Sequence, residues 1–270
     1  KTGSNPFFAI QFLSTLFQEK LIAFDHGRAV WQWDTGKIRE HGYTDNVVEF
    51  MIAKLGRLPA ATRQVMRLAA CIGHEGSFCT LALICGLTEK DAGQELLHAA
   101  REGLVLLSGS QYQFLHDRVQ QAAYALIPPE RRPEIHLQIA RILLSNATGR
   151  ETIDKEIFEI VNQLNFGAGL LRTEAEKLQA ARLNLIAGRR AQVSAAYTSA
   201  LVYYAAGISL LDPAAWATRP DLAFQLHFGQ AQCEHILGRS DESLAHLEAL
   251  LPQASTDLQR AEIYRTEVDI

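Results

Sequence analysis

At 270 residues, with 48% hydrophobic and 21% charged side chains, the chain is long and apolar enough to fill two ordinary cores, which excludes a disordered tether. A net charge of −4 and a pI near 6.2 exclude the broad basic face that nucleic acid requires. No apolar run approaches the roughly 18 residues needed to cross a bilayer, no charged-then-apolar leader opens the chain, and Cys71, Cys79, Cys85 and Cys233 do not form a spread disulfide framework, so a reducing, cytoplasmic setting is expected.

The turn cluster Lys1-Thr2-Gly3-Ser4-Asn5-Pro6 runs straight into a helical pattern, and the last helix reaches Ile270 without a stop signal, so both ends read as cuts through a longer protein. Asn5 suits a helix cap and Pro6 the first helical position. Phe7, Phe8, Ile10, Phe12, Leu13, Leu16 and Phe17 then make a broad apolar face, expected to be buried against something large. From Leu21 to Trp33 the pattern becomes two short strands about a Gly-containing turn, and a helix is expected from Asp45 or Asn46 to about Arg57.

Pro59 opens a helix through about Ile72, a short helix covers Thr80 to Ile84, and Thr88-Glu89-Lys90-Asp91 has the form of a capping box for a third helix that stops at Gly103. Strands Leu104–Leu107 and Tyr112–Leu115 follow, then a helix capped by Asp117 that runs to Ile127 and ends at Pro128-Pro129. Three helices and a closing hairpin describe a winged helix. Beyond it the pattern is helix after helix, near 130–146, 154–165, 174–188, 192–211, 220–237, 240–251 and 256–270. Leu237-Gly238-Arg239 with Ser243, Leu244 and Leu247 is similar to the turn pattern of tetratricopeptide repeats. The expected fold is therefore mainly α: lid helices with a small β-hairpin (1–57), a winged-helix domain (58–127) and a tetratricopeptide-like α-solenoid (128–270).

Two strings carry more than fold class. Thr2-Gly3-Ser4-Asn5-Pro6-Phe7-Phe8 resembles the Gly-Asn-Pro segment that opens the helical lid of STAND ATPases, the signal-transducing NTPases with numerous domains, and Tyr112-Gln113-Phe114-Leu115-His116-Asp117 resembles their winged-helix Met-His-Asp motif. The run from Phe114 to Tyr124, with Asn165-Phe166-Gly167 and Leu183 to Arg189, looks like a bacterial branch whose ATPase region lies between a serine/threonine kinase domain and sensor or histidine kinase domains. The resemblance implies ATP or ADP as the cofactor of the intact parent, Pro6, following Asn5, near the adenine, His116 near the β-phosphate of ADP, and Asp117 bracing the turn that aims this histidine. It implies as partners the nucleotide-binding and kinase domains of the same parent chain, with a protein or small-molecule signal on the helical array. Ser4 stands where the family pattern has its first glycine, with Gly3 beside it.

The sequence contains no Gly-x-x-x-x-Gly-Lys-[Ser/Thr] and no kinase loop motifs, so no catalytic residue is assigned and the chain is expected to be regulatory, not an enzyme. Cys71-x-x-His74 near Cys79 and Cys85 invites a zinc reading, but Cys71 and Cys85 fall on apolar helical faces and no metal is assigned. The third helix of the winged helix carries Lys90 and Arg101 against Glu89, Asp91, Glu95 and Glu102, which disfavours DNA. A DNA-binding regulator with a helical sensor, or a protein-docking scaffold, are the alternatives.

Overall fold

The computed structural model describes residues 6–40, 47–147, 149–212 and 214–269. The fold is mainly α, as the periodicity predicts, with two small antiparallel sheets. It divides into two units, Lys1–Arg131 and Arg132–Ile270.

In the first unit α1 (Pro6–Gln18) leads into the hairpin β1 (Ile22–Asp25) and β2 (Val30–Trp33), followed by α2 (Thr35–Glu40) and α3 (Val47–Gly56). The hairpin is in register from Ile22↔Trp33 to Asp25↔Val30, as expected. Helix α2 was not expected; its start is fixed by Asp34, whose carboxylate accepts from the N–H groups of Gly36 and Lys37 at 2.9 and 3.2 Å. Next come α4 (Ala60–Ile72), β3 (Glu75–Ser77), α5 (Phe78–Cys85), α6 (Glu89–Arg101), β4 (Val105–Ser108), β5 (Gln111–Phe114) and α7 (Asp117–Ala125). Thr88 caps α6 by accepting from Asp91 N–H at 3.1 Å, and Gly103, with φ +67°, turns the chain from α6 into β4.

Strand β3 is the element the sequence hides. Glu75-Gly76-Ser77 has no strand-forming residue, yet it pairs antiparallel with β5 to give a three-stranded sheet of order β3-β5-β4. Gly76 is required there, because a Cβ would stand 2.7 Å from the Tyr112 hydroxyl. Phe50, Met51 and Leu55 of α3, Met66 and Ala69 of α4, Leu81, Leu96, Tyr112, Phe114 and Val119 make one buried cluster beneath this sheet.

The apolar face of α1 is buried only along one stripe. Leu16 is 3% exposed, but Ile10, Leu13 and Phe17 are 62, 53 and 54% exposed. The expected full burial is therefore corrected: α1 is apolar on more than one side, and the side that docks carries Gln11 and Thr15. The other side, with Trp31 and Trp33, borders an open groove of about 770 Å³.

The second unit consists of α8 (Arg132–Asn146), α9 (Arg150–Phe166), α10 (Glu174–Val193), α11 (Tyr197–Ser209), α12 (Ala215–Thr218), α13 (Pro220–Ile236), α14 (Ser240–Leu250) and α15 (Asp257–Asp269). Apart from short α12, each helix packs chiefly on its sequence neighbours, and the core is a one-dimensional, solenoid-like stack. The expected break near 188 lies elsewhere: α10 continues to Val193 and the chain turns at Ala195, φ +58°. Gly188 serves packing instead, because its missing side chain admits the ring of Tyr204, which a Cβ would meet at 2.6 Å. A Cβ on Gly229 of α13 would meet the same ring at 2.5 Å, so Tyr204 is clasped between two glycines and is 1% exposed.

Glycine inside a helix ordinarily loses about 0.5–1 kcal/mol relative to alanine. At Gly229 the sign reverses: Gly229→Ala is expected to lower stability by about 1–3 kcal/mol through overpacking. Gly93→Ala in α6, whose Cβ would meet Phe78 at an ordinary 3.5 Å, is expected to raise it. Urea unfolding midpoints of the two variants check the opposite signs.

Candidate functional site

Of the residues singled out from the sequence, Asn5 lies outside the described residues. Pro6 is the exposed first residue of α1, and His116 and Asp117 lie where β5 passes into α7. The structure brings the ends of α1 and α7 together: the ring of Phe7 stacks on that of His116, centroids 4.8 Å apart and planes 18° apart. Pro6 thus adjoins the residue that covers the histidine, although the two strings are more than a hundred positions apart.

His116, not Asp117, caps α7. Its backbone is extended (φ −159°, ψ 147°) and its Nδ1 accepts the Arg118 N–H at 3.1 Å. The extended backbone turns the imidazole back over the first turn, the place Asp117 was expected to fill. With Nδ1 an acceptor, the neutral ring carries its proton on Nε2, which is left as a donor. Asp117 occupies the first helical position, and its Oδ1 stands 3.1 Å from His74 Nδ1, at ion-pair distance without hydrogen-bond alignment. His74 is held by its backbone, since its carbonyl accepts from Phe114 N–H at 2.8 Å. Gln120 reaches the Ala70 carbonyl at 3.3 Å, tying α7 to the last turn of α4.

What sets the height of α1 over this corner is a buried lysine that the sequence reading did not single out. The Lys54 ammonium, on α3, donates to Gln11 Oε1 at 2.5 Å and to the Glu102 carbonyl at 2.6 Å, with the Glu102 carboxylate 3.8 Å away. Gln11 Nε2 completes the loop by donating to the Gly103 carbonyl at 3.3 Å. Burial pulls the Lys54 pKa below the usual lysine value, against the opposing pull of Glu102. Arg57 and Glu19 form an ion pair at the far end of α1. The available signals were a glutamine amid the apolar run of α1 and a lysine amid that of α3.

Cys71 is buried, and burial pushes the thiols of Cys85 and Cys233 up to about 11, leaving them protonated packing residues. Among the described residues no group of three His, Cys, Asp or Glu side chains is arranged to hold a metal ion. Among the described residues no helix is long and apolar enough to cross a membrane.

The other strings quoted for the resemblance meet in the second unit. Asn165 and Asn184 exchange two amide hydrogen bonds, both 2.9 Å, and Gly167 lies where a Cβ would stand 2.6 Å from that of Leu137. They hold α8, α9 and α10 together.

The fold and this corner define a mainly α protein in which a helix–hairpin–helix element is clamped onto a helix-and-sheet body, with a separate helical stack. The chain is 28% identical over 324 aligned residues to the hybrid signal transduction histidine kinase G of Dictyostelium discoideum, covering 97% of this chain and 9% of that protein. It therefore spans about a tenth of the length of that relative. No protein-family model and no solved structure matches it.

If the Lys54–Gln11 contact docks α1, Gln11→Ala is expected to cost about 1–3 kcal/mol by leaving a buried ammonium short of a partner. Amide hydrogen exchange across residues 6–18 should then rise well above that of residues 60–72, which this contact does not hold. Equal protection in both segments would show that α1 is held by apolar contacts alone.

Proposed function

We infer that this chain is the regulatory part of a STAND-type signal-transduction ATPase region within a multidomain signalling kinase. On this reading α1 to α3 and the hairpin are the lid, the helix–strand–helix–helix–hairpin order of α4 to β5 is a winged helix, and the second unit is a tetratricopeptide-like array that receives a signal. Similarity to a signal transduction histidine kinase along nearly the whole chain supports the signalling role. The observation that carries the finer reading is the Phe7–His116 stack, which sets the lid string and the histidine string side by side with a free Nε2–H donor at the junction.

Such a donor favours a phosphate oxygen, and the first turn of α7 offers further N–H groups, while Asp117 beside them opposes a second negative charge. The site is thus suited to distinguish phosphate states without holding nucleotide tightly. ATP or ADP would be gripped mainly by the parent's nucleotide-binding domain, and the exposed Leu13, Phe17, Trp31 and Trp33 supply an apolar surface for that domain. Coupling follows if His116 binds one nucleotide state better than the other, since only differential affinity moves an equilibrium. The acidic residues of α6 favour this reading over DNA binding.

The test is ADP retention in a longer parent chain that includes the nucleotide-binding domain. His116→Ala is expected to speed ADP release about tenfold, equivalent to one lost hydrogen bond to a charged group, and to raise basal kinase output. Unchanged retention with unchanged output would overturn the assignment of His116.

A further inference from the structure

A polar groove of about 470 Å³ lies in the second unit, and its floor is α13. The α13 residues that face it are Asp221, Phe224, Gln225, Phe228, Gly229 and Gln232, one helical stripe of twelve positions that spans about 16 Å. Arg189 and Gln192 of α10 form one wall, and Gln259, Glu262 and Arg265 of α15 another. The depth arises from Gly229, where the absent side chain lets Tyr204 close the space beneath.

The charged groups facing the groove are not spent on one another. Among the described residues no ion pair engages Arg189, Arg265, Asp221 or Glu262, although the four share one cavity. The Gln192 amide accepts from the Tyr204 hydroxyl at 2.8 Å and donates one of its two N–H groups to Gln232 Oε1 at 3.2 Å. That contact fixes Gln232, and among the described residues its amide N–H₂ and the side chain of Gln225 have no hydrogen-bond partner. Gln259 accepts from Ser255 and likewise keeps its N–H₂. Glutamine amides of this kind match the donor and acceptor pattern of a peptide backbone.

Two of the charges are also ordered along the groove. Asp221 lies in the first turn of α13, whereas Arg189, one turn from Gln192, lies toward the Gln232 end. Two arginines and two carboxylates sum to no net charge, which disfavours both a polyanion such as nucleic acid and a polycation. A ligand with an ammonium at one end, a carboxylate at the other and amides between fits each of these features. At ~3.3 Å per extended residue, a 16 Å groove takes about five residues.

We propose that this groove binds a short extended peptide with free ends, its ammonium toward Asp221 and its carboxylate toward Arg189. Its meaning as a signal rests on the reading of the array as a receiver. Binding itself is measured on this chain without nucleotide, so failure here leaves the His116 test standing, and the converse also holds.

The experiment is calorimetric titration of the chain with penta-alanine bearing free termini, to about 10 mM, beside the same peptide acetylated and amidated. Saturable binding that weakens at least about tenfold on blocking the ends, and by a similar factor in Arg189→Ala and Asp221→Ala, is expected. Both side chains are exposed, so the variants should keep the parental unfolding midpoint, which separates lost binding from lost fold. Absence of saturable binding would overturn the proposal. So would equal affinity for the blocked peptide, or unaltered affinity in both variants.

Discussion

The geometry of the first unit depends on one buried charge. An ammonium with 6% of its side chain exposed is costly unless its protons are taken, and Lys54 finds acceptors on two other segments at once: Gln11 of α1 and the carbonyl of Glu102, just past the end of α6. A cation at a helix C-terminus is favourable in itself, because the last carbonyls lack intrahelical partners and carry the negative end of the helix dipole. By filling that place from α3 and reaching on to α1, Lys54 fixes three helices to a common point. The consequence appears at the N-terminal end of α1, where Phe7 comes to rest on His116. Apolar contact alone would tolerate sliding of a helix that is apolar on several sides; a directed polar contact gives it a register.

The second unit solves its packing in the opposite way, by removing atoms. Gly188 and Gly229 clasp Tyr204, Gly207 lies where a Cβ would meet Leu226 at 2.6 Å, and Gly167 admits Leu137. The helices approach closely at these points, and the amide exchange between Asn165 and Asn184 pins one of the crossings. A stack built from nearest-neighbour contacts is suited to carrying a local displacement along its length, which is the property a receiver requires. Gly229 also lines the polar groove, so packing and surface chemistry meet at that position.

Most of the helices were legible because their signals are local. The α4–α6 run, its cap at Thr88, and the helices from Arg132 onward follow from apolar periodicity and capping residues. What was not legible depends on distant partners. Glu75-Gly76-Ser77 is a strand only because β5 lies beside it, and Gly188 reads as a helix stop until Tyr204 occupies the space above it. Capping by His116 instead of Asp117 turns on one backbone conformation, which residue preference alone does not decide. At the candidate site the sequence named His116, Asp117 and Pro6, but not the stack with Phe7 or the lysine that makes it, since neither belongs to a contiguous motif.

Lys54 and Gln11 hold α1 in the register that places Phe7 over His116. The most direct measurement is proton NMR of the two rings, comparing cross-relaxation between Phe7 and His116 in the wild-type chain and in Lys54→Met. Cross-peaks and ring-current-shifted His116 protons are expected in the wild type, both lost in a variant that remains folded. Cross-peaks that persist in Lys54→Met, or that are missing from the wild type, would contradict it.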